Sequence, residues 1–386
     1  MRGSRRRSSR SSSGARHATA SPRCASASAR PSRPSSSGSS ANRVRDQLEA
    51  LVATGVPGAI AVATRPEGTV EIAAGLADVA QDVPLTPEHR FRIGSVTKIF
   101  VAALALQLAA EGRIALDQDA APFVEGVTIR QLLNHTSGLD DFAVDASFWE
   151  PYRRDPAHRW ELGPLDELRM VLARPRLFAP GEGWAYHGSN YLALRLVLEE
   201  ATGASLGDLL RQRVFAPLEL RKTDLVEGPL PEECAHGYLP PDNPILPGGP
   251  GPVDVTAIDV PFHRAGGGIV STAGEVAKML RSVLGGSFLP DDLRREMLAA
   301  VESDWDETDR YGLGIGEIAS IMGRKTSRCG TAWGHLGFSL GYVAIALSSE
   351  DGERQAVIGA NGHPSDADTE AFLDAAGTLA WDLYCG

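Results

Sequence analysis

The chain has 386 residues, 43% of them hydrophobic, and a formal net charge of −11. This length suffices for a sizeable core, in one large domain or two interleaved ones, and the composition is ordinary for a soluble α/β enzyme. Residues 1–43 hold ten arginines and neither lysine nor an acidic residue, so the rest of the chain carries −21. An acidic body argues against nucleic acid as a partner of the folded part.

The cysteines and histidines give no sign of a metal site. Cys24, Cys234, Cys329 and Cys385 are far apart and form no C-x-x-C pair, which predicts neither a disulfide framework nor a zinc site. The histidines lack a metal-binding spacing such as H-E-x-x-H. We therefore expect no metal and no other cofactor.

Residues 1–43 are mainly arginine, serine, alanine and proline, and this composition predicts a disordered tail. The segment is interpreted either as a flexible basic tail or, preferably, as an extension upstream of the true start. Secretion or twin-arginine export would require an apolar run of about 7–15 residues after the arginines, which the sequence lacks. The most apolar stretch, 99–110, is too short to span a bilayer. We therefore expect a cytoplasmic protein without a membrane span, unless the natural start differs.

The folded part begins with a helix and a hairpin. VRDQLEALVATG, which starts at Val44, has the pattern of a short amphipathic helix. The next segment, GAIAVATRPEGTVEIAAGLADV, predicts two strands joined at Pro66-Glu67-Gly68.

A helix that carries a reactive pair follows. In residues 91–112, FRIGSVTKIFVAALALQLAAEG, most positions are apolar and Gly112 supplies a C-terminal stop. Ser95 and Lys98 stand three residues apart, so on a helix they share a face and can touch. A hydroxyl beside an amine that burial can make neutral is an arrangement for nucleophilic catalysis. The backbone N–H groups of the helix N-terminus favour developing negative charge.

Lysine usage strengthens this interpretation. Lys98 is one of four lysines, against 34 arginines, and it lies in the most apolar helix. Arginine does not deprotonate in proteins and could not replace an amine of lowered pKa. The alternative is a lysine whose amine reaches solvent from the helix start.

The middle of the chain is mainly helical. Residues 128–142 predict a helix that ends in an ordered loop, and residues 143–260 predict helices with Pro- and Gly-rich connections. From Gly266, a loop leads into a further helix with Ser271 or Thr272 as its N-cap.

The chain closes with strands and a helix. Residues 332–362 predict strands joined at a Glu-Asp-Gly turn, and TEAFLDAAGTLAWDLYC predicts an amphipathic helix. This order predicts an α/β (α+β) catalytic domain over 44–386. Its α/β part comes from 44–115 and 260–386, and a helical insert spans about 116–259.

Three further stretches complete the pattern. PGEGWAYHGSNYLAL places Tyr186 before a helix, WGHLGFSLGY places His335-Leu336-Gly337 where a strand would begin, and LLNHTSGL is a turn-rich loop. Together with the Ser95 helix they resemble the serine β-lactamase and penicillin-binding-protein superfamily. The resemblance is to its class C β-lactamase and D-Ala-D-Ala carboxypeptidase branch, which also includes esterases and transacylases. It runs from about residue 45 to 385.

The resemblance implies a fold and a role for each residue. The fold would be β-lactamase/transpeptidase-like, with an antiparallel sheet flanked by helices and an inserted all-helical domain. Ser95, as nucleophile, and Lys98 would form the S-x-x-K element. Tyr186 would be the tyrosine of the Y-x-N motif and, as phenolate or hydrogen-bond relay, the general base. His335-Leu336-Gly337 would be the third motif, usually K-T-G or H-x-G, which lines the substrate strand. The oxyanion hole would be the backbone N–H groups of Ser95 and Phe338.

One position departs from the family pattern. The usual run PGxxFxYSNxxY aligns without a gap with PGEGWAYHGSNY, so Tyr186 and Tyr191 match but Gly188 takes the place of the asparagine. The side-chain amide with which family members hold the substrate's carbonyl and fix the lysine is missing from this substrate-binding position. Gly188 argues against β-lactamase and peptidase activity more than against acyl-enzyme formation. A substrate without the amide side chain, such as an ester, would still fit.

Other residues have structural interpretations. Tyr186 could be a core tyrosine and His335 could support a strand, but the surrounding motifs favour the site. His135 and Ser137 are expected to hold a loop conformation rather than to act in catalysis. Lys325-Thr326-Ser327 is similar to K-T-G, but its flanks predict an exposed loop, so we assign it no role.

The sequence thus predicts a serine acyl-transfer enzyme. Ser95 would attack an amide, ester or lactam carbonyl of a small-molecule or peptide substrate, with Lys98 and Tyr186 moving the proton. Two alternatives are open. One is a transacylase that passes the acyl group to an amine or alcohol in small-molecule biosynthesis. The other is a sensor or degenerate binding protein that is acylated without turnover. The sequence does not indicate the oligomeric state.

Overall fold

The computed structural model describes residues 36–141, 146–155, 158, 160–228, 230–246, 248–258, 264–304, 310–321, 324–326 and 329–386. Most of the predicted disordered tail, residues 1–35, therefore lies outside the described residues. Residues 36–43, which the composition assigned to that tail, belong to the first helix, which begins at Ser36 rather than at Val44.

The helices of the described residues have the following bounds. The α-helices are α1 (Ser36–Val52), α2 (Thr97–Ala110), α3 (Ile129–Leu133), α4 (Glu150–Arg154), α5 (Pro164–Leu172), α6 (Ser189–Thr202), α7 (Leu206–Leu210), α8 (Arg264–Gly267), α9 (Ala273–Leu284), α10 (Asp291–Met297) and α11 (Thr369–Cys385). The 3₁₀ turns are Gly94–Val96 and Ala146–Trp149, and a π-helical turn spans Arg211–Phe215.

The strands are numbered in chain order. They are β1 (Gly58–Arg65), β2 (Gly68–Asp78), β3 (Val83–Pro84), β4 (Phe91–Arg92), β5 (Asp119–Ala120), β6 (Val124–Thr128), β7 (Asp224–Leu225), β8 (Tyr238–Leu239), β9 (Val253–Asp254), β10 (Ile269–Ser271), β11 (Val301–Glu302), β12 (Arg310–Tyr311), β13 (Gly316–Ile318), β14 (Ser320–Ile321), β15 (Arg324–Lys325), β16 (Ala332–Ser339), β17 (Tyr342–Ser349) and β18 (Gln355–Ala360).

A nine-stranded sheet forms the centre of the described fold, in the spatial order β11-β12-β13-β16-β17-β18-β1-β2-β3. Every pair of neighbours is antiparallel. The two ends of the chain meet where β1 pairs with β18, so segments far apart in sequence share one sheet. The predicted α/β fold with an antiparallel sheet flanked by helices is confirmed.

Helices cover both faces of this sheet. Helices α1 and α11 pack together over one face, and α9 packs on the other face against β17, β18 and β1. Along β17, Val343 and Ile345 join the core beneath α11, whereas Ala344 and Ala346 join the core that contains α2. This division follows from the strand geometry, because successive side chains point to opposite faces.

Local signals placed several elements correctly. The hairpin of β1 and β2 turns at Pro66-Glu67. Thr272, rather than Ser271, is the N-cap of α9, because its side chain accepts the N–H of Glu275. Within the described part of 116–259, the short strands stay outside the nine-stranded sheet. The assignment of this segment to an inserted helical domain stays a prediction.

None of the helices in the described residues combines the length and the apolar character needed to cross a membrane.

A disulfide between Cys329 and Cys385 corrects the expectation drawn from cysteine spacing. The bond joins the end of α11 to the segment before β16, across a sequence separation of 56 residues. Spacing could not reveal this pair, because the two segments become neighbours only through the packing of α11 on the sheet. Cys234 is buried and free.

Loss of this bond should destabilise the protein. In the chain-entropy model, closing a loop of this length restricts the unfolded chain by about 4 kcal/mol. We expect Cys385→Ser to lower the free energy of unfolding by roughly 2–4 kcal/mol in urea titrations under oxidising conditions. Cys234→Ser is the matched control, because it removes a cysteine that forms no disulfide and leaves the Cys329–Cys385 bond intact. If reduction lowers the stability of the Cys385→Ser variant as much as that of the wild type, the stabilising role of the bond is contradicted.

Candidate active site

Ser95 lies in a short 3₁₀ turn that leads directly into α2. The turn spans Gly94–Val96 and α2 begins at Thr97, so Ser95 precedes the α-helix by two positions. The side chains of α2 around it are buried, while Ser95 keeps partial exposure. Gly112 adopts a left-handed φ of 68° just after the helix, as the predicted stop requires. The apolar sequence thus fixes a reactive hydroxyl at the edge of the core.

The turn before Ser95 is packed against strand β16. Gly94 has a φ of +50°, and a Cβ at this position would lie 2.7 Å from both the backbone N and the carbonyl O of Phe338. A Cβ on Gly337 would lie 2.1 Å from the carbonyl O of Ile93. Alternate residues of an antiparallel strand turn their N–H groups to opposite edges. The position of the Phe338 backbone therefore places its polar groups on the edge that faces the Ser95 turn.

Lys98 is held close to Ser95. Its side chain is 2% exposed, and Nζ lies 3.0 Å from Ser95 Oγ and 2.8 Å from the carbonyl O of Gly266. The amine also lies 4.8 Å from the centre of the Tyr186 ring and 5.3 Å from that of Tyr191. The lysine does not reach solvent, so the alternative of an exposed amine at a helix start is excluded.

This environment makes Lys98 a base near neutral pH. Burial lowers the pKa of its amine from 10.5 to about 7, against the charge of Asp141, which raises it. A neutral amine has a lone pair, and Ser95 Oγ is within hydrogen-bond distance of it. The geometry and the pKa together suit proton transfer from the serine hydroxyl.

Tyr186 stands over the same amine, just before α6. Burial raises the pKa of its hydroxyl above the ordinary value of 10.0, against a hydrogen bond with Ser95 that lowers it. The side chain is therefore a protonated phenol at neutral pH. Of the two forms considered from the sequence, the burial of the hydroxyl favours the hydrogen-bond relay over the phenolate.

His335 lies in the middle of β16 rather than at its start. Its Nδ1 lies 2.5 Å from the carbonyl O of Leu336, and its Nε2 lies 2.9 Å from the hydroxyl of Tyr311 and 3.4 Å from that of Tyr186. Burial, with the nearby Lys98 charge, lowers the pKa of His335 to about 3. The imidazole is therefore neutral and cannot attract a substrate carboxylate as a cation would.

Leu336 does not contribute its side chain to the substrate site. Although the motif predicted it as substrate-binding, the side chain is 7% exposed and joins the core beneath α11, across the sheet from Lys98. Strand alternation explains this, because Leu336 and its neighbour His335 face opposite sides. Only the backbone of Leu336 remains near the site, and its carbonyl O is the partner of His335 Nδ1.

Gly188 forms the N-terminal boundary of α6. Its N–H donates to the carboxylate of Asp141 over 2.9 Å. No side-chain amide stands at this position, and Lys98 Nζ donates to the backbone carbonyl of Gly266. A Cβ on Gly266 would lie 3.1 Å from that Nζ.

Asn190 does not take over this task. Its Oδ1 accepts from Ser137 Oγ over 2.5 Å, and its Nδ2 lies 3.1 Å from His135 Nδ1 and 3.3 Å from the carbonyl O of His187. His135 has a positive φ of 64°, and its ring packs 4.5 Å from the Tyr186 ring. These contacts agree with the expectation that His135 and Ser137 hold the loop.

Tyr311, Asp141 and Gly266 belong to the site although the sequence does not predict them. Tyr311 is fully buried, and its hydroxyl reaches His335. Each comes from a segment distant in sequence from Ser95, and no local pattern marks it. Lys325, which was assigned no role, lies in the short β14–β15 pair outside the main sheet, and Ser327 lies outside the described residues.

No group of three or more potential metal-ligating side chains occurs among the described residues.

Comparison of the sequence with known proteins gives one family and several relatives. The Beta-lactamase family model matches residues 44–378. D-aminopeptidase from Brucella ovis is 32% identical over 206 residues, which cover 50% of this chain and 38% of that protein. Penicillin-binding protein 4* from Bacillus subtilis is 29% identical over 175 residues, covering 43% of this chain and 38% of that protein. The chain thus spans well under half the length of these curated relatives.

Solved structures match over nearly the whole described fold. A D-stereospecific amidohydrolase from Streptomyces sp. superposes with a TM-score of 0.73 at 28% identity, covering 87% of this chain and 98% of the other. A D-amino acid amidase from Ochrobactrum anthropi SV3, complexed with L-phenylalanine, superposes with a TM-score of 0.76 at 25% identity, covering 88% and 97%.

Gly94→Ala should damage the site by moving the nucleophile turn away from β16. The added Cβ would lie 2.7 Å from the Phe338 backbone in a left-handed conformation that alanine rarely adopts. We expect the rate of Ser95 acylation by a p-nitrophenyl ester to fall by about 10²-fold or more. Gly203→Ala is the control, because it has a similar φ of +73° but nothing within 4 Å of the added Cβ. Equal rates in the two variants would show that backbone strain alone, and not the contact with β16, is responsible.

The reaction with Ser95 should follow the ionisation of Lys98. Because only the neutral amine accepts a proton, acylation should rise with pH and level off above the Lys98 pKa of about 7. Lys98→Arg should reduce acylation by roughly 10²–10⁴-fold at every pH, since arginine stays charged. Lys278→Arg, at an exposed lysine of α9, is the matched control. If acylation of Lys98→Arg still rises with pH as it does in the wild type, the assignment of Lys98 as the base is disproved.

Proposed function

Because this chain belongs to the β-lactamase family, we propose that it is a serine amidohydrolase that cleaves amides, and esters, of small D-amino acids. The observation that carries the proposal is the 3.0 Å contact between Ser95 Oγ and a buried lysine amine with a pKa of about 7. The names of two relatives of known structure, a D-stereospecific amidohydrolase and a D-amino acid amidase, support the substrate class.

In the proposed acylation step, Ser95 Oγ attacks the carbonyl carbon and its proton passes to the neutral Lys98 amine. A C–O bond forms, and the carbonyl electron pair moves onto oxygen. The backbone N–H groups of Ser95 and Phe338 would stabilise that oxyanion, because both lie at the junction of the nucleophile turn and β16. The contact between Gly94 and the Phe338 backbone supports this assignment.

Collapse of the tetrahedral intermediate breaks the C–N bond, and the leaving amine needs a proton. Tyr186 is a protonated phenol that hydrogen-bonds with Ser95, so it can donate that proton. Protonated Lys98, whose Nζ lies 4.8 Å from the centre of the Tyr186 ring, would then return a proton to the phenolate. Water then attacks the acyl carbon, and its proton passes to the neutral Lys98 amine. Collapse of this second intermediate breaks the bond to Ser95 Oγ, which takes the proton back from Lys98 as the D-amino acid leaves.

Gly188 fits this substrate class. A β-lactam or peptide substrate carries an acylamino group that the missing asparagine amide would bind. An amino acid amide with a free amine carries no acylamino group. The absence of the asparagine side chain therefore removes no contact to such a substrate. The proposal therefore accounts for the departure from the family pattern at this position.

The compartment is part of the proposal. The sequence predicts a cytoplasmic protein, whereas disulfides such as Cys329–Cys385 are rare in reducing compartments. We infer that the folded enzyme works where this bond stays oxidised.

The proposal is tested with amides of D- and L-phenylalanine, measured by ammonia release. We expect the wild type to cleave the D-amide and Ser95→Ala to lose roughly 10³-fold or more of the rate. Ser282→Ala, a buried serine on α9 outside the site, should keep wild-type activity. An intact-protein mass increase equal to the acyl group should appear in the wild type and not in Ser95→Ala.

Other outcomes identify the alternatives. Cleavage of the L-amide at the same rate would contradict the stereochemical assignment. A stable adduct without release would indicate a sensor, and an increased rate of product formation with added alcohol or amine acceptors would indicate a transacylase. Absence of any Ser95 adduct with amides, esters and a fluorescent penicillin would overturn the nucleophile assignment.

A further inference from the structure

The hydroxyls of Tyr311 and Tyr186 compete for one hydrogen-bond acceptor, His335 Nε2. His335 Nδ1 lies 2.5 Å from the carbonyl O of Leu336. A carbonyl oxygen can only accept, so Nδ1 carries the imidazole hydrogen. Because the low pKa of His335 keeps the ring neutral, Nε2 has no hydrogen and offers a single lone pair.

The hydroxyls of two tyrosines lie near that lone pair. The hydroxyl of Tyr311 lies 2.9 Å from His335 Nε2, and the hydroxyl of Tyr186 lies 3.4 Å from it. Burial raises the pKa of both tyrosines, so both keep their hydrogens at neutral pH. A single lone pair accepts one good hydrogen bond, and the shorter distance belongs to Tyr311.

Tyr311 is held firmly in this position. It is buried on β12, and its ring lies 5.1 Å from that of His135, 5.8 Å from that of Trp184 and 6.2 Å from that of Tyr186. The loop that follows it packs on α2, where a Cβ on Gly314 would lie 2.5 Å from the Cβ of Ala102. The tyrosine therefore cannot move away from His335 without disturbing the core.

We propose that Tyr311 is a positioning residue: by occupying the lone pair of His335 Nε2, it keeps the hydroxyl hydrogen of Tyr186 directed toward Ser95 and the leaving group. In this arrangement His335 supports the site without touching the substrate. The inference rests on the proposed acyl transfer for its kinetic consequence, whereas the competition for His335 is a property of the folded protein alone.

Removal of the Tyr311 hydroxyl should misdirect Tyr186. In Tyr311→Phe, His335 Nε2 becomes available, and Tyr186 can close the gap from 3.4 Å and donate to it. A phenol that donates to His335 is withdrawn from the leaving group. We expect kcat to fall by about tenfold, with KM changed less than about twofold, because the substrate contacts are kept.

A double-mutant cycle separates positioning from a general loss of structure. In a Tyr186→Phe background the hydroxyl to be positioned is absent, so adding Tyr311→Phe should change kcat by less than about twofold. Tyr384→Phe is the matched control. It removes a buried hydroxyl that donates to Thr331 O over 2.8 Å, and Tyr384 lies on the opposite face of the sheet from Lys98. An equal loss from Tyr311→Phe in both backgrounds, or none in either, would overturn the proposal.

Nuclear magnetic resonance of ¹⁵N-histidine-labelled protein tests the competition without any substrate. The Nε2 signal, assigned with His335→Gln, should stay at the position of a hydrogen-bonded acceptor in Tyr311→Phe and in Tyr186→Phe. It should move to that of an unbonded nitrogen only in the double variant. If Tyr311→Phe alone moves the signal, Tyr186 does not take over and the proposal is wrong. A wild type inactive on D-amides but with the expected signals would disprove the proposed function while leaving the competition intact.

Discussion

The burial of one amine beside one hydroxyl is the interaction on which the rest of the site depends. Moving the pKa of Lys98 from 10.5 to about 7 corresponds to roughly 5 kcal/mol of preference for the neutral amine. The apolar helix α2 and the Tyr186 and Tyr191 rings supply that environment, because they keep water away from the amine. The helix and the rings come from different parts of the chain, so the reactivity of Ser95 is a property of the assembled core. The charge of Asp141 opposes part of this shift, so the pKa of the amine falls to about 7 and no further.

Much of this could be predicted from local sequence. The spacing of Ser95 and Lys98, the break before α6 at Tyr186 and the strand pattern around His335 are short-range signals, and the resemblance placed them in one fold. What escaped prediction depends on contacts between distant segments. Tyr311 and Gly266 lie in stretches without a recognisable motif, and their importance follows only from where α8 and the loop after β12 meet α2. The same reason explains the unpredicted Cys329–Cys385 bond. Leu336 shows the converse, because a motif names consecutive residues while a strand turns their side chains to opposite faces.

Lys98 and Tyr186 have different tasks because their pKa values are shifted in opposite directions, although the sequence motifs mark both simply as catalytic residues. Burial lowers the pKa of Lys98 and raises that of Tyr186, since a buried environment disfavours both the ammonium and the phenolate. The lysine is thereby left ready to accept a proton and the tyrosine ready to give one. His335, neutral and bonded through both nitrogens, belongs to neither task. Gly188, at the position of the motif asparagine, adds no side-chain group to this division, and the backbone carbonyl of Gly266 accepts a hydrogen bond from the lysine.

The contact between Gly94 and Phe338 has a consequence for how such a protein can change over evolutionary time. The nucleophile turn and β16 touch through backbone atoms, with no side chain between them to be exchanged. Point mutations can therefore remodel the loops around the site, while the spacing between the serine and β16 is inherited as a unit. New substrate preferences should arise in those loops, and the distance between Ser95 and the Phe338 backbone should change very little.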